Sequence, residues 1–192
     1  SQGRRNDLED FKKAVKDGML SLKEIREHHS DVYARHTRFC LEYIQDNTPG
    51  KDLPTHPLRP WQQALNASLN LAPDDRTINF VVDVVGNSGK TWFAHYYASL
   101  HEGVQVIQPG KKADMAYALQ TDIRVLFIDA PRSKQGEYLQ YDFIEDCKNG
   151  YVFSTKYESR VKQLQRIHVV VMMNEMPDMT KLSADRYNII NV

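Results

Sequence analysis

The sequence predicts an α/β fold in which helices cover both faces of a mostly parallel sheet. Short runs of consecutive apolar residues alternate with longer segments whose apolar residues recur every three or four positions. Uninterrupted apolar runs are typical of strands buried on both faces, as parallel strands between helices are. A Gly-rich turn joins the first such run to a helical segment, and an all-helical region with a separate pattern comes before them.

The N-terminal region, residues 1–46, is predicted to form a small all-α domain. Apolar residues at helical spacing, among them Phe11 and Val15, indicate a first helix from residue 7. Ser21 and Glu24 have the spacing of a capping box and predict the start of a second helix. A third helix is predicted over residues 32–44.

Residues 47–60 are predicted to be a linker, because prolines recur through them and Pro49-Gly50 is a turn signal. The remaining residues, 61–192, form the predicted α/β domain. Its strands are expected at residues 78–85, 104–107, 125–129, 169–173 and 187–192, its helices at 61–71, 92–100, 114–119 and 141–147, and one arm of a hairpin at 151–156.

Composition restricts the function less than the motifs do. The 192 residues include 25 Lys and Arg and 25 Asp and Glu, so the net charge of zero gives no global sign of nucleic-acid binding. No run reaches the length of a membrane span, and no membrane partner is expected. Cys40 and Cys147 lack the spacing of metal ligands, which favours free thiols in a reducing compartment. The absence of an initial Met predicts that the chain is part of a longer protein.

The most informative motif is the segment Gly86-Asn87-Ser88-Gly89-Lys90-Thr91, between a predicted strand and a predicted helix. This arrangement is typical of a loop that binds nucleoside-triphosphate phosphates, whose glycines let backbone N–H groups approach the anion. Lys90 would bind the outer phosphates and the Thr91 hydroxyl would bind Mg²⁺. The pattern departs from the usual one at Val84, where a glycine is expected.

Two other predicted strands end in polar residues that complete such a site. Asp129 ends the run at 125–129 and is a candidate Mg²⁺ ligand, and Asn174 follows the run at 169–173 and can orient water or contact a phosphate. The carboxyl ends of parallel strands meet at one edge of the sheet, so these side chains are expected to converge. Ala130 occupies the place of a water-activating second acid, which leaves Glu137, Glu145 and Glu175 as unranked candidate bases.

A basic segment lies between residues 148 and 166. Five basic residues and one acidic residue, Glu158, give it a net charge of +4, whereas the chain as a whole is neutral. Tyr151, Phe153 and Tyr157 lie among the cations and can stack on nucleobases. The segment is therefore either a contact surface for single-stranded nucleic acid or an ordinary solvated basic surface.

The ordered series of motifs resembles the C-terminal helicase domain of replication-initiator (Rep) proteins of circular single-stranded-DNA viruses, in the nanovirus-like and alphasatellite-like branch. The resemblance covers about residues 60–192. It is carried by Trp61-Gln62, by the phosphate loop, by residues 128–133, 144–145, 148–150 and 153–159, by Asn174 with Pro177-Asp178, and by residues 181–187.

The resemblance implies a superfamily 3 helicase, an AAA+-type ATPase that forms a hexameric ring around single-stranded DNA and uses ATP and Mg²⁺ in rolling-circle replication. Lys90, Asp129, Asn174 and Arg186 then match the catalytic residues, with Arg186 as an arginine finger directed at the neighbouring subunit. Gly86, Asn87, Ser88, Gly89, Lys90 and Thr91 are the expected nucleotide-binding residues, Thr91 and Asp129 the Mg²⁺ ligands, and Lys156, Tyr157 and Lys162 the DNA-binding residues.

The same resemblance assigns an oligomerisation role to the N-terminal helices, for which a cap on the same subunit is the alternative. The His-apolar-His motif of the family's nicking domain is not found, so endonuclease activity is not expected in this chain. A viral protein of this kind would act in the host nucleus. Two other functions remain open: a DNA-binding or assembly module that binds ATP but hydrolyses it weakly, and a small P-loop kinase.

Overall fold

The computed structural model describes residues 6–130 and 139–192. The chain divides into two compact units, Ser1–Asp52 and Leu53–Val192, with a boundary inside the predicted linker. The second half of this Pro-rich segment packs within the second unit. There the indole of Trp92 donates a 2.9 Å hydrogen bond to the carbonyl of Pro54, and the His56 ring lies 3.8 Å from it between centroids.

The first unit is all-helical, as predicted. The helix expected over residues 32–44 is instead two helices, because the backbone leaves helical geometry at His36 (φ −132°, ψ 43°). The side-chain hydroxyl of Thr37 donates to the carbonyl of Tyr33 at 2.6 Å, a local bond that competes with the helical ladder. The helices are α1 Asp7–Lys16, α2 Leu22–His28, α3 Ser30–Arg35 and α4 Thr37–Asn47, around a core of Phe11, Val15, Ile25, Val32, Cys40 and Ile44.

The second unit alternates strands and helices. Its helices are α5 Pro60–Leu69, α6 Lys90–Leu100, α7 Lys112–Ala118 and α8 Tyr141–Asn149. Its strands are β1 Ile78–Val82, β2 Val104–Ile107, β3 Val125–Asp129, β4 Tyr151–Ser154, β5 Arg160–Gln163, β6 His168–Met173 and β7 Tyr187–Asn191.

Five of these strands form one parallel sheet in the order β2-β3-β6-β1-β7. Strand β6 therefore lies between β1, which leads into the Gly-rich loop, and β3, which ends in Asp129. The register aligns the carboxyl ends of all three, with Val82 opposite Met173 and Asp129 opposite Met172. The α/β fold of the P-loop NTPase type is thereby confirmed.

Alternate residues of the central strands face two apolar cores. On one face, Phe80 of β1 and Val171 of β6 pack with α7 and α8. On the other face, Val81 and Val170 pack with α5 and α6. All residues of β1, β3 and β6 are buried, which explains why each is mostly apolar in the sequence, although Asn79 interrupts β1.

Strands β4 and β5 form a separate antiparallel hairpin. The predicted arm at 151–156 ends at Ser154, and its partner β5 carried no apolar run that would have predicted it. Tyr151 and Phe153 are 63% and 57% exposed, whereas Val152 is buried against α7 and α8. One side of the hairpin thus belongs to the core and the other presents aromatic rings to solvent.

Strand β1 is shorter than the predicted run of 78–85. It ends at Val82, and Val84 and Val85 are 66% and 87% exposed in the loop that follows. Their apolar character is therefore unrelated to burial in the sheet.

Both cysteines, Cys40 and Cys147, are buried free thiols. In the described part of the chain, no helix combines the length and apolar character that crossing a bilayer requires.

Candidate phosphate-binding site

The predicted site residues converge at the carboxyl edge of the sheet. Lys90 and Thr91 begin helix α6, Asp129 ends β3 and Asn174 follows β6. Together with the loop they line an open cavity of about 450 Å³. The sheet order brings these residues together, because β6 holds Asn174 between the loop and the acid.

The loop backbone depends on residues that tolerate positive φ. Gly86 and Gly89 have φ of 98° and 83°, and Asn87, a residue type that also adopts the left-handed region, has 62°. The positive φ disfavours larger residues at Gly89, and a Cβ there would lie 2.8 Å from the side-chain amide nitrogen of Gln62, which would have to move. Gly89 is the N-cap of α6, and the N–H groups of that helix's first turn are a ready site for an anion.

Asp83, the first residue after β1, organises the loop from within. It is 2% exposed, and its carboxylate accepts backbone hydrogen bonds from Val85, Gly86 and Ser88 at 3.1, 2.8 and 3.1 Å. The Lys90 ammonium lies 3.2 Å away. The hydrogen bond from Ser88 is the main cause that holds the pKa of Asp83 well below its usual range, and Lys90 adds to it.

Helix α5 holds the outer side of the same loop. Arg59, Trp61 and Gln62 donate side-chain hydrogen bonds to three consecutive loop carbonyls, those of residues 87, 88 and 89, at 2.9, 3.2 and 3.2 Å. The loop is therefore fixed through its amides by Asp83 and through its carbonyls by α5 and its N-cap residue, Arg59. These hydrogen bonds explain how the loop keeps its shape although Val84 occupies the position where a glycine is expected. Sequence analysis missed Asp83, which stood inside the predicted apolar strand, and treated Trp61-Gln62 only as part of a resemblance.

The Lys90 side chain is buried and shared between two acceptors. Its ammonium donates to Asp83 at 3.2 Å and to the Asn174 side-chain oxygen at 3.0 Å. Lys90 is 9% exposed, and it also lines the cavity. It is thus placed at the cavity wall with a neutralising carboxylate behind it.

Thr91 and Asp129 form the acid–hydroxyl pair expected of a Mg²⁺ site. The Thr91 hydroxyl donates to the Asp129 carboxylate at 3.0 Å, and Asp129 is 6% exposed. Both oxygens border the cavity, and hard oxygen donors with one carboxylate are what Mg²⁺ prefers when phosphates and water supply the other ligands. These two residues therefore fit the ion.

Of the three glutamates considered as water-activating bases, the two that the structure describes do not lie together at the site. Glu137 lies outside the described residues, as do Pro131, Arg132 and Ser133 of the motif that follows Asp129. Glu145 lies on α8, where its carboxylate is 3.5 Å from the Arg186 guanidinium. Glu175 directly follows Asn174 and lines a neighbouring cavity with Tyr141. Of the described candidates, Glu175 is the one on the same strand end as a site residue.

Lys156, in the β4–β5 connection, is held beside two exposed tyrosines. Its ammonium forms a 2.7 Å ion pair with Asp114 of α7 and lies 5.8 and 5.6 Å from the ring centroids of Tyr117 and Tyr157. Asp114 raises the pKa of Lys156 through this hydrogen bond. Tyr157 is 83% exposed and has a positive φ of 65°. Sequence analysis missed Tyr117, because nothing in α7 pointed to the hairpin.

The prediction that Lys162 contacts DNA does not fit its position. Lys162 is 4% exposed, and its ammonium donates to the carbonyls of Ala116, Tyr117 and Leu119, each at 2.7 Å. It satisfies the carbonyls at the C-terminal end of α7, where a cation also complements the helix dipole. Burial lowers the pKa of Lys162. Its charge contributed to the basic segment in sequence but is enclosed in the structure.

Arg186 lies at the opposite edge of the sheet from the phosphate loop, directly before β7, whose first residue is paired with Ile78. It is 4% exposed and donates to the side-chain oxygen of Asn149 at 2.7 Å. Among the described residues its Nε and Nη1 have no hydrogen-bond partner. The expected exposed finger is therefore buried here, and Arg186 does not belong to this phosphate site.

The fold and the loop define an α/β protein of the P-loop NTPase type. No protein-family model matches the chain. The chain is 41% identical over 137 residues to the para-Rep C7 of Faba bean necrotic yellows C7 alphasatellite, which covers 70% of this chain and 48% of that protein.

Two other relatives are the para-Rep C10 of Milk vetch dwarf C10 alphasatellite and the para-Rep C6 of Subterranean clover stunt C6 alphasatellite. The first is 38% identical over 157 residues, 80% of this chain and 55% of the relative. The second is 38% identical over 136 residues, 69% of this chain and 47% of the relative. The chain spans about half the length of the curated relatives it matches. These similarities confirm the resemblance to Rep proteins of circular single-stranded-DNA viruses and their satellites.

Proposed function

We propose that this chain is the ATP-hydrolysing helicase part of a replication-initiator protein, a superfamily 3 motor that translocates on single-stranded DNA as a hexameric ring during rolling-circle replication. The observation that carries the proposal is the convergence of Lys90, Thr91, Asp129 and Asn174 around one cavity. The relatives, named para-Rep, support a role in replication.

Each group has a defined task in phosphoryl transfer. The free N–H groups of the first turn of α6 and the Lys90 ammonium bind the phosphates, and Thr91 and Asp129 hold Mg²⁺, which neutralises charge on the outer phosphates. The amide of Asn174, hydrogen-bonded to Lys90, orients the γ-phosphate or the attacking water. The chemistry is positioning and charge stabilisation, with no covalent step on the protein.

The β4–β5 hairpin is the proposed DNA contact. Lys156 supplies a cation for the phosphate backbone, and Tyr157 and Tyr117 supply exposed rings on which bases can stack. Lys162 has no direct part in this contact, because its ammonium is enclosed. In a ring, one such hairpin from each subunit would face the central channel.

The position of Arg186 is the physical reason for proposing a ring. Its guanidinium lies at the edge of the sheet opposite the phosphate loop, so it can act on a nucleotide only if that nucleotide belongs to another subunit. In that case the side chain must leave its contacts with Asn149 and Glu145 when the ring forms. The N-terminal helical unit is the proposed oligomerisation element, and the host nucleus is the proposed location.

One observation favours the alternative of a DNA-binding or assembly module that binds ATP but hydrolyses it weakly. Lys90 is already paired with Asp83 and Asn174, and a lysine held in this way stabilises transition-state charge less well. The β4–β5 hairpin and the position of Arg186 give no additional support to this alternative or to a small kinase.

The proposal is tested by two measurements on the wild-type chain with Mg²⁺. Particle mass is determined with a non-hydrolysable ATP analogue and short single-stranded DNA, and phosphate release is determined with and without that DNA. A hexamer with DNA-stimulated phosphate release is expected. A persistent monomer that binds nucleotide without turnover would favour the binding module, and phosphoryl transfer to a nucleoside would favour the kinase.

A further inference from the structure

Asp83 is a buried acid for which the proposed mechanism has no task. Its two oxygens have different partners. Oδ1 accepts the N–H groups of Val85 and Gly86 at 3.1 and 2.8 Å. Oδ2 accepts the N–H of Ser88 at 3.1 Å and the Lys90 ammonium at 3.2 Å.

The two oxygens of the Asp83 carboxylate have different roles. Oδ1 bonds to residues two and three positions ahead and so shapes the turn after β1. Oδ2 occupies donors that the loop is otherwise built to offer to a phosphate, the N–H of Ser88 and the ammonium of Lys90. An oxygen of a bound phosphate and Oδ2 of Asp83 therefore compete for the same hydrogens.

We propose that Asp83 is an internal anion that holds Ser88 and Lys90 while the loop is empty and competes with nucleotide phosphates for them. This inference rests on the proposed function, because it presumes that the loop binds a nucleoside di- or triphosphate. Nucleotide binding exchanges Oδ2 for a phosphate oxygen, and Asp83 takes Lys90 back when the product leaves. The transfer moves a hydrogen-bonded cation between two anions and breaks no covalent bond.

The surroundings of the pair favour such an exchange. The side chains of Lys90 and Asp83 are only 10% and 3% exposed, so Lys90 without a counter-charge would be an uncompensated buried ion in the empty protein. The cavity beside them is lined by Lys90 but not by Asp83, so an incoming phosphate approaches the ammonium from the other side. The bonds from α5 to the loop carbonyls keep the loop in place while its amides change partner.

The test is Asp83→Asn, with ADP binding measured calorimetrically in the presence of Mg²⁺. The amide keeps one oxygen for the turn, but its nitrogen cannot accept from Ser88 and Lys90. The dissociation constant for ADP is expected to fall by about fivefold or more, the usual lower range for a coupling between two binding events. The midpoint of thermal unfolding without nucleotide is expected to fall as well.

Asp74→Asn is the matched control. Asp74 also accepts two backbone N–H groups, those of Arg76 and Thr77, at 2.9 and 2.7 Å, and lies 3.6 Å from Lys148. It precedes β1 at the other end of the strand, away from the loop. Its substitution is expected to lower stability and to leave the ADP dissociation constant unchanged.

The outcomes separate this inference from the proposed function. If the wild-type chain binds neither ADP nor ATP, the proposed function fails. If it binds ADP and Asp83→Asn binds ADP equally or more weakly, the competition is refuted. Should Asp83→Asn not fold, a crystal structure of the wild type with ADP decides the matter. Lys90 is then expected to lie beyond the ion-pair limit of about 4 Å from Asp83, and an intact Lys90–Asp83 pair beside bound ADP would overturn the proposal.

Discussion

The ammonium of Lys90 lies 3.0 Å from the side-chain oxygen of Asn174, a residue 84 positions later in the chain. The pair joins the helix that follows β1 to the end of β6, the strand between the loop and the acid. The proposed nucleotide chemistry at this edge would therefore depend on a network in which each side chain is positioned by the next.

Lys90→Ala is expected to abolish ATP hydrolysis and to leave the fold intact. Asp83 loses its counter-charge, but its carboxylate keeps three backbone N–H donors, so the buried acid remains hydrogen-bonded. Loss of one preorganised donor at the transferred group lowers kcat by about 10²- to 10³-fold. Phosphate release measures the loss, and Lys112→Ala, which removes an exposed lysine, is the control. Unchanged turnover in the Lys90 variant would contradict the assignment of the loop.

Thr91→Val is expected to remove the Mg²⁺ dependence of nucleotide binding, because it keeps the shape of the side chain and deletes the hydroxyl that contacts Asp129. Thr91→Ser retains the hydroxyl and should keep the dependence. Titration of a fluorescent ATP analogue with and without Mg²⁺ measures both. The pair of residues is not a Mg²⁺ site if the valine variant responds to the ion as the wild type does.

Lys156→Ala is expected to weaken binding of single-stranded DNA and to reduce the magnitude of its logarithmic salt dependence by about 0.7, the value for one phosphate contact on a single strand. Asp114→Asn should have the opposite effect on affinity, because it releases Lys156 from its 2.7 Å ion pair. Fluorescence anisotropy over a salt series measures both.

Lys112→Ala is the control for that experiment, since Lys112 lies on α7, the helix that carries Asp114, and is itself paired with Asp146 of α8. Equal effects of the Lys112 and Lys156 substitutions would indicate general charge attraction and would argue against a specific hairpin contact.

Lys162→Met is expected to destabilise the protein and to leave the salt dependence of DNA binding unchanged. The substitution preserves most of the buried chain but leaves the carbonyls of Ala116, Tyr117 and Leu119 without their donor. A cost of about 1–3 kcal/mol in the free energy of unfolding follows for a buried acceptor that loses its partner. Urea unfolding measures it. A stable variant with a reduced salt slope would restore Lys162 to the DNA-binding residues.

Arg186→Ala is expected to inhibit mixed assemblies with wild type by more than its share of subunits, because each altered subunit would disable a neighbour's site. Phosphate release across a mixing series measures this. Arg76→Ala is the control, since Arg76 is an exposed arginine in a two-bond ion pair with Asp185, next to Arg186 in sequence. Activity strictly proportional to the fraction of wild type would argue against a finger acting between subunits.

Sequence analysis succeeded where a single local pattern determines the structure. The strand ends at Asp129 and Asn174 and the helix after the loop were predicted, because buried parallel strands are uninterrupted apolar runs and the loop motif marks a strand–helix junction. It failed where contacts are distant. The charge of Lys162 was visible, but the carbonyls around it come from a helix more than 40 residues earlier in the chain.

Asp83 shows the same limit in the site itself. In sequence it is, with Asn79, one of two polar residues in the predicted run 78–85, and only the end of β1 at Val82 makes it the first residue of the loop. By itself, the sequence determined the α/β class, the Gly-rich loop between a strand and a helix, and the resemblance to Rep proteins, because these depend on local periodicity and short motifs. The tertiary structure decided how accessible each cation is: Lys156 is partly exposed beside aromatic rings and paired with Asp114, whereas Lys90, Lys162 and Arg186 are buried among partners that the fold supplies. Whether a cation can contact a ligand depends on its burial and on the acceptors around it, and both are determined by strand order and helix packing.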